Sequence, residues 1–282
     1  MALDPDKYEP DEDGLPREIV GPWVREKHAR LERYVSISRA TRKKYLGPGK
    51  AGATFIDLYC GPGRARIEGT REIIDGSPLV AWRKSIEGDD EVRAPFTQVF
   101  IADAEPELVN AAKARLERAG APVSSEALPA AEAVDRVVAK LNPYGLHFAF
   151  LDPYNLAAVP FDVIQKLASV KRMDILVHVS VQDLQRNLRK YIQHQASPLD
   201  AFAPDWRDHI GDIHDQSMIR GKVLEHWRRL LKAEGMSTAE TAELVTGSKN
   251  QRLYWLAFAA RHELALYFWE QVRDIGRQGS LL

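Results

Sequence analysis

The sequence of 282 residues contains one cysteine, Cys60, and no apolar run that approaches the roughly 18 residues of a membrane-spanning helix. A single cysteine excludes an internal disulfide framework and a cysteine-rich zinc or iron–sulfur site built from this chain alone. The first residues are acidic and lack the basic and apolar regions of a secretory signal. We therefore expect a cytoplasmic protein without a membrane segment.

Several common active-site motifs are also missing. His-Glu-x-x-His and Gly-x-Ser-x-Gly do not occur, and the eight histidines show no metal-ligand spacing, so no metal site is predicted. Residues 47–52 match Gly-x-Gly-x-x-Gly, but they precede a predicted strand instead of following one. Ala53 stands where a Walker A loop requires Lys. The sequence therefore argues against a dinucleotide-binding loop here and against an NTPase.

The charges nearly cancel, with 39 basic and 40 acidic residues, but they are unevenly placed. Residues 1–18 carry seven acidic and two basic side chains, whereas residues 23–50 carry nine basic and two acidic ones. We predict an acidic mobile tail over residues 1–20 and a basic helix and loop over 21–50. The remaining domain should span 51–282, with an irregular insertion around 195–218.

Short apolar runs alternate with amphipathic helical patterns in the first two thirds of that domain, which is typical of a parallel sheet covered by helices. Near the carboxyl end, residues 238–247 and 252–261 flank a turn-prone segment and predict an antiparallel pair, followed by a closing helix. The predicted fold class is α/β.

An apolar strand that contains Asp57 runs into a tight turn with Gly61 and Gly63. In a parallel sheet, such a turn faces the ligand crevice at the carboxyl edge, and glycine allows close approach of a ligand to the backbone. A carboxylate buried in a strand needs a partner. Asp57 therefore either bonds the amides of the turn or meets a cationic amino-acid group, and both are compatible.

Two further acids end predicted strands. Asp103 ends the next strand, where its carboxylate is placed to accept hydrogen bonds from two ribose hydroxyls or to cap the helix that starts near Pro106. Asp152 ends a later strand and is followed by Pro153 and Tyr154, which either form part of a site or stiffen and pack the end of the strand.

Basic residues before the first strand, after the glycine turn and after the last parallel strand are predicted to meet at one sheet edge. Such a cluster predicts a nucleic-acid contact, although solvated helix faces are an equally good interpretation at this net charge. The candidates are Arg42, Lys43, Lys44, Arg64, Arg66 and Arg186.

The order of these elements resembles the class I S-adenosylmethionine-dependent methyltransferases, through the acid-containing strand with Tyr59-Cys60-Gly61-Pro62-Gly63 and the acid at the end of the second strand. The resemblance implies a Rossmann-like, mostly parallel seven-stranded sheet with a C-terminal antiparallel hairpin and helices on both faces. It implies S-adenosylmethionine as cofactor, bound by Asp57, Tyr59, Gly61, Gly63, Asp103, Ala104 and Leu128.

Asp152-Pro153-Tyr154 resembles the Asp-Pro-Pro-Tyr motif of amino methyltransferases that act on nucleic-acid bases. The resemblance implies that Asp152 and the Pro153 carbonyl accept hydrogen bonds from the target amine while Tyr154 stacks on the base. Such acceptors orient the nitrogen for in-line methyl transfer, and no strong base is required. The second proline of the motif is absent here.

Five blocks in order are similar to the three-Cys-motif partner proteins (TcmP), a bacterial family. They are Asp57–Arg64, Gly76–Leu79, Leu151–Tyr154, Asp183–Asn187 and the segment from Tyr254 to Trp269. This resemblance implies association with a three-cysteine protein similar to radical-S-adenosylmethionine enzymes. Two hypotheses follow: a methyltransferase acting on a base amino nitrogen in nucleic acid, or an accessory protein with this fold that binds such a partner and has no transferase activity of its own.

Overall fold

The protein is described here from a computed structural model covering residues 3–211, 215–239, 243–246 and 252–273. The strands are Tyr8–Pro10 (β1), Pro16–Val20 (β2), Ala53–Asp57 (β3), Arg64–Ile67 (β4), Ile73–Asp75 (β5), Gln98–Asp103 (β6), Val123–Ala127 (β7), Leu146–Leu151 (β8), Met173–Ser180 (β9), Ser237–Thr238 (β10), Glu243–Thr246 (β11) and Arg252–Ala260 (β12). The helices are Val24–Ile37 (α1), Arg39–Lys43 (α2), Ser77–Ser85 (α3), Pro106–Arg118 (α4), Ala130–Lys140 (α5), Phe161–Ala168 (α6), Val181–Gln193 (α7), Pro198–Phe202 (α8), Arg207–Ile210 (α9), Gln216–Ala233 (α10) and Glu263–Arg273 (α11), with a 3-10 turn at Leu156–Ala158.

The main sheet has the strand order β10-β12-β9-β8-β3-β6-β7, and β11 also pairs with β12. Strands β9, β8, β3, β6 and β7 are mutually parallel, whereas β12 runs antiparallel to β9 and to both of its outer neighbours. The short strands β10 and β11 share the outer edge of β12. The predicted mostly parallel sheet with an antiparallel C-terminal pair is therefore confirmed.

Both faces of the main sheet are covered by helices. All five residues of β3 are buried, and successive side chains of a strand point to opposite faces. Ile56 belongs to the buried cluster that contains Val134 of α5 and Ile164 of α6, whereas Phe55 belongs to the cluster on the other face that contains Leu31 of α1. The predicted helices on both faces are confirmed.

A second, four-stranded sheet has the order β1-β2-β4-β5. It corrects one prediction, because residues 8–20 are not a mobile tail but form its first two strands. The acidic side chains that suggested a solvated tail are paired with arginines. Glu9 bonds Arg17 and Arg66, and Asp11 bonds Arg17 and Arg64.

The segment 195–218, expected to be an irregular insertion, contains α8, α9 and the start of α10, and its residues 212–214 lie outside the described ranges. Phe202 and Trp206 are fully buried in the core, and Asp200 accepts a hydrogen bond from the Trp206 indole at 2.7 Å. Within the described ranges, no helix is both long and apolar enough to cross a membrane.

Candidate functional site

The strand order places a crevice at the carboxyl ends of β3 and β8. From β3 the chain continues outward to β6 and β7, whereas from β8 it continues in the opposite direction to β9. Ligands of open α/β sheets bind where the strand order reverses in this way. The predicted site residues at the ends of β3, β6 and β8 therefore do meet at one edge.

Asp57, at the end of β3, is fully buried and holds the turn that follows it. Its Oδ1 accepts a hydrogen bond from the Tyr59 amide at 3.0 Å, and its Oδ2 accepts one from the Ser77 hydroxyl at 2.6 Å. Burial raises the pKa of Asp57 to about 7, although both hydrogen bonds oppose the shift. The predicted role of bonding the turn is confirmed.

The glycines of this turn adopt backbone conformations that side chains disfavour. Gly61 has φ +53° and Gly63 has φ +80°. A Cβ at Gly63 would lie 3.1 Å from the Ala112 Cα, so α4 packs directly on the turn. A Cβ at Gly61 would lie 3.6 Å from a carboxylate oxygen of Glu18, so strand β2 of the second sheet lies over the turn.

Asp103 ties the end of β6 to the same turn. Its Oδ2 accepts a hydrogen bond from the Gly61 amide at 3.2 Å, and its Oδ1 accepts one from the Glu105 amide at 3.1 Å, just before α4. Burial raises its pKa, and these backbone bonds oppose that shift. Ala104 is exposed beside it, and Leu128 follows β7 and packs partly on the core.

Tyr59 connects the turn to the loop that follows β8. Its hydroxyl donates a hydrogen bond to the Ala158 carbonyl at 2.6 Å. Burial, together with the nearby Asp57 carboxylate, raises the pKa of the phenol. Tyr59 therefore positions the loop after Asp152 in this structure.

Asp152 lies between two basic side chains. Its Oδ1 is 2.9 Å from His178 Nδ1, and its Oδ2 accepts a bond from the ammonium group of Lys27. Burial favours the neutral acid, but Lys27 and then His178 outweigh it and hold the pKa of Asp152 well below its ordinary value. Asp152 is therefore an ionised acceptor and not a proton donor near neutral pH.

His178 also approaches the carbonyl of Pro153, at 3.3 Å from Nδ1. Because both of its neighbours are acceptors, Nδ1 carries a proton. Its Nε2 is buried and has no hydrogen-bond partner in the described part of the chain. Tyr154 follows with 81% of its surface exposed, and Lys7 lies 5.6 Å from the centre of its ring.

The loop after Tyr154 is held by its own bonds. Asn155 accepts a hydrogen bond from the Ala158 amide at 3.0 Å, and Asp183 of α7 accepts one from the Leu156 amide at 3.0 Å. Asp183 also accepts bonds from Asn187 and Tyr191, so this part of the Asp183–Asn187 block supports the loop.

Three residues at the crevice were not predicted from the sequence: Glu18, Lys27 and His178. Lys27 is 7% exposed and lies on the buried face of α1, four residues before Leu31 and seven before Tyr34. That i, i+4, i+7 spacing indicates that Lys27 shares the buried face of the helix, but lysine is normally assigned to the solvent-exposed face. His178 is a polar residue inside the mainly apolar strand β9.

The predicted convergence of basic residues is wrong for the segment before β3. Arg42 is 2% exposed and donates hydrogen bonds to the carbonyls of Ala94 and Val35. Lys43 bonds the Glu91 carbonyl, and Lys44 caps the end of α2. These residues lie near the amino ends of the parallel strands, because the loop after α2 leads into β3 and Ala94 precedes β6. They are on the side opposite to the crevice.

The other predicted basic residues differ among themselves. Arg64 pairs with Asp11 at 3.0 Å, and Arg66 pairs with Glu9 at 2.5 Å, so both charges are compensated within the second sheet. Arg186 is exposed on α7, which begins at the carboxyl end of β9. Among the described residues, no group of three candidate ligands is placed to hold a metal ion.

No protein-family profile and no curated protein sequence matches the chain. A crystal structure of a DUF519 protein from Legionella pneumophila is similar with a TM-score of 0.50 at 10% identity, over 88% of this chain and 92% of that chain. An rRNA methylase from Streptococcus thermophilus is similar with a TM-score of 0.39 at 11% identity, over 79% of this chain and 93% of that chain. A SAM-dependent methyltransferase from Agrobacterium tumefaciens is similar with a TM-score of 0.41 at 13% identity, over 93% of this chain and 72% of that chain. At these identities the similarity is one of fold alone.

Proposed function

We propose that the protein binds S-adenosylmethionine and transfers its methyl group to an amino nitrogen of a nucleic-acid base. The observation that carries the proposal is a crevice with four carboxylates at the reversal point of a class I methyltransferase sheet. Asp57 and Asp103 end β3 and β6, Asp152 directly follows β8, and Glu18 lies over the glycine turn.

The charge of this crevice favours a cationic ligand. Four acidic side chains lie at the crevice, and the ammonium groups of Lys27, which bonds Asp152, and of Lys7, beside the Tyr154 ring, are the cations near them. A dinucleotide would bring an anionic pyrophosphate into this field, whereas a sulfonium compound brings a positive charge. Coulomb attraction in a partly desolvated crevice therefore discriminates between the two classes of cofactor.

The residues present fit the implied donor. The glycine turn offers backbone without side chains, the Asp103 carboxylate keeps free lone pairs for two ribose hydroxyls, and Leu128 with Ala104 borders the place for an adenine ring. When bound, the donor supplies an electrophilic methyl group on a sulfonium. Asp57 acts indirectly, by fixing the turn through the Tyr59 amide.

Asp152 and the Pro153 carbonyl supply the acceptor side. An ionised Asp152 accepts N–H bonds from an amine and orients its nitrogen for in-line attack. Lys27 and His178 each occupy one carboxylate oxygen, so an incoming amine uses the remaining lone pairs or competes with Lys27. The exposed ring of Tyr154 beside it suits stacking on an unpaired or flipped base.

The proposal is tested by calorimetric titration with S-adenosylmethionine and S-adenosylhomocysteine, with Asp103→Asn as the comparison. We expect micromolar binding to the wild type and at least tenfold weaker binding to the variant, since a charged hydrogen-bond acceptor contributes about 1.5–3 kcal/mol. Transfer of labelled methyl groups to host DNA and RNA follows, with Asp152→Asn expected to keep donor binding and lose transfer. Failure of the wild type to bind either compound would overturn the proposal.

The resemblance to TcmP supports a second proposal, that the chain binds a three-cysteine, radical-S-adenosylmethionine-like protein. The structural observation in its favour is that α11, within the C-terminal block, exposes Leu264 and Tyr267. Co-purification from the native host tests it. Recovery of a cysteine-rich partner that is lost with Tyr267→Ser would support it, and methyl transfer by the isolated chain without such a partner would argue against it.

A further inference from the structure

The N-terminal segment brings two opposite charges to the glycine turn. Strand β2 carries Glu18 over Gly61, and α1 carries Lys27 to Asp152. The segment is held there by Arg115 of α4, whose Nη1 donates to the Pro16 carbonyl at 2.8 Å and to the Pro62 carbonyl at 2.7 Å. One guanidinium thus fixes both β2 and the turn.

Lys27 has hydrogen-bonding capacity that the described protein does not use. An ammonium group has three N–H donors. Asp152 accepts one of them, and Lys27 makes no second hydrogen bond within the described residues. A lysine that is 7% exposed has little access to water, so its remaining donors point to a ligand as their partner.

Glu18 is the complementary case. Within the described ranges its carboxylate has neither an ion pair nor a hydrogen bond, although Lys27 and Lys7 attract it, and Asp152 and Asp103 repel it, through space. Burial raises its pKa to about 7. A carboxylate that is desolvated and repelled in this way gains most from a cationic hydrogen-bond donor.

We propose that Lys27 and Glu18 bind the zwitterionic amino-acid end of the donor, Lys27 through its α-carboxylate and Glu18 through its α-ammonium. The inference rests on the proposed function, since it needs a donor in the crevice. The ionised Asp152 repels an α-carboxylate, so that group binds only where a cation faces it. The N-terminal segment then completes the donor site instead of lying outside the domain.

The test compares two ligands that differ in the amino-acid end. S-Adenosylhomocysteine carries it and 5′-methylthioadenosine lacks it. We expect Lys27→Met and Glu18→Gln each to weaken the binding of S-adenosylhomocysteine about 10- to 100-fold, which corresponds to the loss of a charge-assisted hydrogen bond. The affinity for 5′-methylthioadenosine should change less than about threefold. Lys44→Met, which removes an exposed lysine on the opposite side, is the control.

The outcomes separate the two proposals. If neither ligand binds the wild type, the proposed function fails. If both bind but the variants weaken them equally, or leave both unchanged, the donor site stands and the assignment of Lys27 and Glu18 is wrong. If Lys27→Met does not fold because Asp152 loses its partner, the double variant Lys27→Met, Asp152→Asn is compared with Asp152→Asn alone. We again expect a loss of affinity for S-adenosylhomocysteine and not for 5′-methylthioadenosine.

Discussion

At the scale of single residues, the acids at the strand ends have different environments although they look alike in sequence. Asp152 has two basic neighbours and a pKa well below its ordinary value, whereas Asp57 is fully buried with neutral partners and a pKa of about 7. The positions of both acids were predictable from apolar strands that end in polar residues. Their charge states were not, because Lys27 and His178 come from distant parts of the chain.

The pKa of Asp57 predicts how stability depends on pH. Because this pKa is raised in the folded state, the folded protein holds the Asp57 proton more tightly than the unfolded chain does. The contribution of this proton to the free energy of unfolding is therefore present below about pH 4 and is lost as the pH rises to 7. We expect the free energy of unfolding of Asp57→Asn to increase relative to the wild type by about 2–4 kcal/mol over that interval. Urea unfolding at several pH values measures it. An exposed control, Glu132→Gln, should show no such trend, and a difference independent of pH would contradict the prediction.

At the scale of elements, the strands of the main sheet were predictable and those of the second sheet were not. Three of the five residues of β3 are apolar and all five are buried. Parallel strands that are buried on both faces have such mainly apolar sequences. Strands β1 and β2 are short, polar and only half-buried, and β2 pairs with β4, more than 40 residues away. Acidic composition predicted a tail because Arg64, Arg66 and Arg115, which pair with its acids, are distant in sequence.

The attachment of these strands is testable at Arg115. Its side chain is 4% exposed and bonds Asp11, Asp13 and two carbonyls, whereas Arg118 bonds the same Asp13 and is 58% exposed. We expect Arg115→Met to lower the free energy of unfolding by about 3 kcal/mol, because it leaves buried acceptors unpaired. Arg118→Met should cost less than about 1 kcal/mol. Denaturant unfolding gives both values, and amide exchange should increase over residues 8–20 in Arg115→Met. Equal effects of the two variants would show that exposure does not decide the strength of this attachment.

At the scale of the whole molecule, the distribution of charge limits how nucleic acid could bind. Arg42 is buried, Arg64 and Arg66 are paired with acids, and the lysines at the end of α2 lie away from the crevice. Residues 23–50 contain nine basic and two acidic side chains. In the folded protein these basic side chains do not form one continuous positively charged surface that faces the crevice. Recognition at this site would then depend on the base, through Tyr154, more than on the phosphates.

This argument predicts a shallow salt dependence. For single-stranded oligonucleotides, the logarithm of the binding constant falls with the logarithm of salt concentration by about 0.7 for each phosphate contact. With Arg186 as the exposed basic residue of the predicted set near the crevice, we expect a slope of about −0.7, and no steeper than about −1, by fluorescence anisotropy between 50 and 200 mM salt. Arg186→Gln should reduce the slope by about 0.7, and Lys44→Gln should not change it. Tyr154→Ala should weaken binding about 5- to 100-fold without altering the slope, because stacking on a base releases no counterions. A slope near −5 in the wild type would instead require a cationic track, and the binding surface would then have to lie away from this crevice.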